Sequence, residues 1–166
     1  MRIKISADST CDLSPELIET YNIGITPLYI EKGGQNCRDG MDITPQEIFD
    51  YVRSGKGVCR TAAVNVGDYT AFFKKCRENY DAVIHFNISS DFSSCYQNAC
   101  TAAAEFENVY VVDSRNLSTG IALLVLDAAE RAEKGGDPKE IAALMRETAK
   151  KVEASFVIDT LFYLQK

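Results

Sequence analysis

A chain of 166 residues is long enough for one substantial domain and short for two. Its 46% apolar and 25% charged residues are ordinary globular usage and argue against disorder. With 24 acidic against 18 basic side chains and a formal net charge of -6, it lacks the basic surplus that phosphate-backbone binding draws on, so nucleic acid is not an expected partner.

Ile3 to Ala7 reads as a first strand, with Ile3 and Ile5 on one face. The segment from Met1 to Asp8 has no signal-peptide apolar region, so a cytoplasmic location is expected. Ser14 caps and Pro15 opens a helix through Tyr21. Ile25 to Ile30 reads as a second strand, and Gly33-Gly34 followed by Asp39-Gly40 are turn signals of a hairpin-like excursion. Thr44-Pro45-Gln46-Glu47 is a capping box that opens a helix to about Arg53. Gly55 to Val66 reads as mostly irregular, and a helix carrying Tyr69, Phe72, Phe73 and Cys76 follows.

Ala82 to Ile88 is a nearly continuous apolar run, the pattern of a strand covered on both faces. Ser93 to Phe106 suits a helix with Tyr96, Ala99, Cys100 and Ala103 on one stripe. Val109 to Val112 is another buried strand, and Ser118 to Lys134 a long helix ended by Gly135-Gly136. Within it, Ile121 to Leu126 is the longest apolar run, far short of the roughly 20 residues of a membrane span. Asp137-Pro138 caps the next helix, Ser155 to Ile158 is a last strand, and Leu161 to Leu164 begins a further helix. Strands that alternate with helices require crossover connections, so the expected architecture is a three-layer α/β/α domain with a largely parallel sheet.

Open sheets of this kind bind ligands beyond the carboxyl ends of their strands. Asp8-Ser9-Thr10-Cys11-Asp12 lies at the first such end, Ser89-Ser90-Asp91-Phe92-Ser93-Ser94 at the central one, and Asp113-Ser114-Arg115-Asn116 and Asp159-Thr160 at the later ones. The serine-rich turn is the most informative, because backbone amides and a helix N-terminus there favour an anion and Ser93 and Ser94 add hydroxyl donors. A serine that only caps the helix would give the same pattern. Arg60-Thr61-Ala62 sits in the irregular stretch. His85 is the one histidine and lies inside an apolar strand, which suits a core imidazole better than a catalytic base. Cys11, Cys37, Cys59, Cys76, Cys95 and Cys100 form no Cys-x-x-Cys pair, so free thiols are expected and neither a metal nor a cofactor is implied. No Gly-x-Ser-x-Gly elbow, dinucleotide fingerprint or phosphate loop occurs.

Five segments in order carry a family resemblance: Asp8-Ser9-Thr10-Cys11-Asp12-Leu13, Arg38-Asp39-Gly40-Met41-Asp42-Ile43-Thr44, Ile88-Ser89-Ser90 with Ser93 and Tyr96-Gln97, Val111-Val112-Asp113-Ser114-Arg115, and Phe156-Val157-Ile158-Asp159-Thr160-Leu161. They resemble the DegV family, whose members include the FakB fatty-acid-binding subunits of bacterial fatty acid kinase. The resemblance implies a non-enzymatic carrier that holds a long-chain fatty acid for phosphorylation by a separate ATP-dependent kinase, with no membrane span and transient membrane contact at most. The family's head-group threonine corresponds to Thr61 and its head-group serine to Ser93, with Ser94 beside it. Asp8, Ser9, Ala62, Ser89 and Ser90 are the further candidates.

Thr61 is followed by Ala62-Ala63-Val64 where the family has Ser-Gln-Pro, and Ser94-Cys95 stand where it has Gly-Thr. Family members carry a second domain, so residues 1–166 are expected to form one α/β domain resembling the N-terminal one, with the second absent. The tail wall is expected from Phe92 and from the helix over Leu117 to Leu124. The competing reading is a small hydrolase or phosphoryl-transfer enzyme using Asp8 and the turn at 89–94, although Asp8 equally suits a turn cap.

Overall fold

The computed structural model describes residues 1–157. Its centre is a parallel four-stranded sheet of β1 (Ile3–Asp8), β2 (Gly24–Thr26), β6 (Ala82–Asn87) and β7 (Val109–Asp113), in the order β2-β1-β6-β7. The middle pair is registered Ile5 to Ile84 and Ala7 to Phe86. All six residues of β6 are buried, the polar His85 and Asn87 included, as its nearly continuous apolar run suggests.

Helices cover both faces. On one side α5 (Thr119–Glu133) and α6 (Pro138–Ala149) bury Ile121, Leu124, Val125, Ile141 and Met145 against Ile5, Ala7, Ile84 and Phe86. On the other, α3 (Val66–Arg77) and α4 (Cys95–Ala103) bury Tyr69, Phe73, Cys95 and Ala99 against Val83 and Val111. The alternation of Val83 with Ile84 between two cores is the two-residue period of a strand. The three-layer α/β/α architecture is therefore present. Helix α1 (Pro15–Thr20), capped by Ser14, and α2 (Pro45–Arg53), opened by the reciprocal Thr44–Glu47 capping box, begin where their caps predict.

Four local expectations need correction. The strand expected over Ile25 to Ile30 is two strands in two sheets: β2 ends at Thr26, and β3 (Tyr29–Lys32) starts after Pro27, whose missing N–H cannot continue a ladder. The stretch from Gly55 to Val66, expected to be irregular, contains β5 (Arg60–Ala62), and Val66 already belongs to α3. With β4 (Gln35–Arg38), these strands form a small antiparallel sheet in the order β4-β3-β5, its hairpin closed by Gly33 and Gly34 at φ of 58° and 80°. Helix α4 is shorter than the span from Ser93 to Phe106, and its buried stripe is Cys95, Ala99, Ala102 and Ala103, leaving Tyr96 and Cys100 only half-buried. Residues 155–157 form no strand. Ile158, Asp159, Thr160 and the expected helix start at Leu161 to Leu164 lie outside the described residues.

Candidate functional site

The carboxyl ends of β1, β6 and β7 converge as the alternating pattern requires. Asp8 ends β1 fully buried, and its carboxylate accepts from four donors: the Thr10 hydroxyl and amide, the Ile88 amide at 2.8 Å and the Asn87 side chain. Burial pushes its pKa above the ordinary carboxylate value while these donors pull it back. Asp8 is thus a clamp joining the ends of two strands, with no free oxygen facing a substrate. Ser9 also works as framework, since its Oγ accepts from the Leu28 amide at 3.1 Å.

Behind this edge lies a buried polar chain that the sequence did not announce. Asn87 contacts Tyr69 Oη at 2.8 Å and His85 Nε2 at 3.3 Å, and His85 Nδ1 lies 2.9 Å from Ser6 Oγ. Both ring nitrogens of His85 thus have a polar neighbour inside the core. Burial holds the His85 pKa down to about 3, so the ring is neutral at pH 7. Walled in and already bonded, it has no route to a substrate.

The turn between β6 and α4 is more open. Ser89 is buried, and its Oγ accepts from the Asp91 amide at 3.3 Å. Ser90 is pinned to β7, its amide and hydroxyl donating to Asp113 at 3.2 and 2.6 Å. Arg115 closes this rim, pairing with Asp91 at 2.9 Å and donating to Ser90 Oγ. Ser93 Oγ accepts from the Cys95 amide at 3.2 Å, which fixes the oxygen and leaves its hydrogen free to donate. Ser94 is exposed and makes no side-chain cap bond. Among the described residues, the amides of Ser94, Tyr96 and Gln97 have no acceptor, so α4 opens with unsatisfied donors beside two hydroxyls. Phe92, 67% exposed, stands on the same turn, and Leu123 on α5 is 61% exposed, while Ile121 and Leu124 are buried in the core.

Thr61 and Ala62 come from the small sheet. Thr61 stands opposite Ile30, which stands opposite Cys37, and Ala62 opposite Tyr29. Two contacts hold this strand toward the edge of the main sheet. Leu28, next to Tyr29, donates to Ser9, and Asn98 on α4 donates to the Val64 carbonyl at 2.8 Å. The structure therefore groups Ser89, Ser90, Ser93 and Ser94 on one turn and Asp8 and Ser9 beside it. Thr61 and Ala62 stay on the small sheet, tied to α4 only through the nearby Val64 carbonyl, which accepts from Asn98, with no direct bond from Thr61 to a serine among the described residues. Asn98 carries no motif, and a polar residue on a helix otherwise rich in small side chains was its one signal.

The arrangement offers hydroxyls, free amides and an apolar neighbour, and encloses Asp8 and His85. That is the chemistry of holding an anion with an apolar body. Among the described residues no His, Cys, Asp and Glu group is placed to hold a metal, and no helix is long and apolar enough to cross a membrane.

A family model described as uncharacterised protein, DegV family, matches residues 2–166. A DegV domain-containing protein of Caldanaerobacter subterraneus is 34% identical over 99% of this chain and 59% of its own length. Among solved structures, a fatty-acid-binding DegV family protein from Thermus thermophilus superposes with a TM-score of 0.84 at 34% identity, covering 90% of this chain and 54% of that one. DegV from Bacillus subtilis, also described as a fatty acid binding protein, gives a TM-score of 0.83 at 25% identity over 90% of this chain and 54% of its own. The chain thus spans little more than half the length of these relatives.

Proposed function

Because the chain belongs to the DegV family, we propose that it is a carrier that holds a long-chain fatty acid, with the carboxylate on the Thr61 and Ser93 hydroxyls and the free amides that open α4. The observation that carries this reading is the match in fold and sequence to the fatty-acid-binding Thermus thermophilus protein. The site chemistry agrees with it. A carboxylate is ionised at pH 7 and needs several donors once water is excluded, and a free hydroxyl with adjoining unsatisfied amides supplies them. The Ser94 hydroxyl lies at the rim, Ala62 adjoins the head group, and Asp8, Ser9, Ser89 and Ser90 fix the backbone that aims these donors. The tail extends past Phe92 toward α5, where each buried methylene contributes roughly 0.8 kcal/mol. Residues 1–166 then act as one α/β domain equivalent to the N-terminal part of the longer relatives, with a second domain supplying further tail wall.

Among the described residues, Asp8 and His85 are enclosed by the protein's own hydrogen bonds. In this reading the bound acid is phosphorylated by a separate ATP-dependent kinase in the cytoplasm, which moves the terminal phosphoryl group of ATP onto a carboxylate oxygen and leaves ADP. The enzyme alternative loses its central residue, since all the donors around Asp8 belong to the protein's own framework. Titration with a fluorescent fatty acid, with the matching alcohol as competitor, tests the carboxylate role. The acid should compete well and the alcohol poorly. Equal competition would overturn the assignment of charge-specific donors.

A further inference from the structure

Helix α2 and the loop after it form a face that the fatty-acid site does not use. No residue of α2 is buried, although the helix carries Ile48, Phe49 and Val52. At roughly 100° per residue, these three fall within one sector, Arg53 borders it beside Phe49, and Glu47 and Asp50 point to the opposite side. The loop adds Val58 and Cys59, which with Ile48, Phe49, Val52 and Arg53 line an open apolar groove of about 330 Å³. Phe49 is 55% exposed and Val58 39% exposed.

Charge is sorted around this groove. From Tyr51 to Gly67 the sequence holds Arg53, Lys56 and Arg60 and no acidic residue, within a chain of net charge -6. All three cations are exposed, and among the described residues none of them is in an ion pair. Glu31 stands across from Arg60, with Lys32 next to it in β3. An apolar ridge flanked by cations, with the acids of its helix turned away, is the pattern that seats a helix on an anionic bilayer. A second copy is a poor occupant, because a two-fold contact would set the same three cations against each other.

We propose that α2 and residues 54–60 dock this protein on the surface of a bilayer carrying anionic headgroups, Phe49 and Val58 entering the apolar boundary and Arg53, Lys56 and Arg60 meeting the headgroups. Docking in this pose brings Thr61, the next residue of β5, to the membrane surface. The inference goes beyond the fatty-acid reading and does not depend on it: vesicle binding tests the one, and competition between acid and alcohol tests the other.

The test is co-sedimentation of the full chain with vesicles of phosphatidylglycerol and, separately, of phosphatidylcholine. Partition into phosphatidylglycerol should be at least about tenfold stronger and should weaken with added salt. The pair Arg53→Gln and Lys56→Gln should remove that preference. The pair Phe49→Ser and Val58→Ser should lower binding to phosphatidylglycerol about tenfold, with circular dichroism confirming that both variants are folded. Absent or equal binding to the two vesicles, or variants that bind like the parent, would overturn the proposal. A dimer that forms without vesicles and is lost in the same variants would also overturn it.

Discussion

Acid should weaken this fold through His85. The ring is wholly buried, bonded to Ser6 and Asn87, and packed edge-on against Tyr69 and Phe73 at centroid distances of 5.3 and 5.5 Å. Burial lowers its pKa from 6.5 to about 3. Between those values the unfolded chain binds a proton that the folded chain refuses, so stability from this group is complete above pH 6.5 and is lost as pH falls toward 3. A displacement of that size is worth about 5 kcal/mol in full, of which about 2 kcal/mol is lost between pH 7 and pH 5. Against a typical domain stability of roughly 5–15 kcal/mol, that is a large fraction.

Asp8 works in the opposite direction. Its folded pKa is raised above 3.8, so its contribution is present below that value and is lost as pH rises through the folded one. The clean measurement is therefore a difference. Urea unfolding followed by circular dichroism, on the parent and on His85→Gln, should show the parent losing about 2 kcal/mol more than the variant between pH 7 and pH 5. Parallel losses would mean that the imidazole is protonated or solvated in the folded state, and the account of the buried polar chain would fail.

Removing either proposed head-group hydroxyl, by Thr61→Val or Ser93→Ala, should cost about 1.5–3 kcal/mol of fatty-acid binding and less for the matching alcohol, read by the same competition titration. Asn98→Ala should weaken fatty-acid binding by roughly 1 kcal/mol, about fivefold, because it frees the β5 segment from α4 without touching the ligand. Unchanged affinity would separate Thr61 from the site. Asp8→Ala leaves the Ile88 amide short of an acceptor, at about 1–3 kcal/mol, while Asn87 keeps Tyr69, so urea unfolding should show a loss of that size.

The layers of the fold were legible because local signals agreed with the global arrangement: Ala82 to Phe86 is apolar but for His85, and Ser14, Thr44 and Asp137 cap helices that begin where they predict. The small sheet was hidden for two reasons. Its β5 holds three exposed residues with no alternation to read, and Pro27 interrupts an apolar run that otherwise resembles one strand. At the site, the serine-rich turn stood out by composition, and Ser93 does bond the start of α4 as a capping serine would, while keeping a hydrogen to donate. The reach of Asn98 across to Val64 and the burial of Asn87 beneath Asp8 depend on residues far apart in the chain, so neither spacing nor periodicity could have disclosed them.

The most direct test of the carrier reading is mass spectrometry of an organic extract of the purified, folded protein. The account predicts a long-chain fatty acid released in near-stoichiometric amount and reduced in the Ser93→Ala variant. Protein that yields no fatty acid, fails to bind one when it is added, and instead shows metal-dependent phosphatase activity would contradict the carrier reading and return the enzyme alternative.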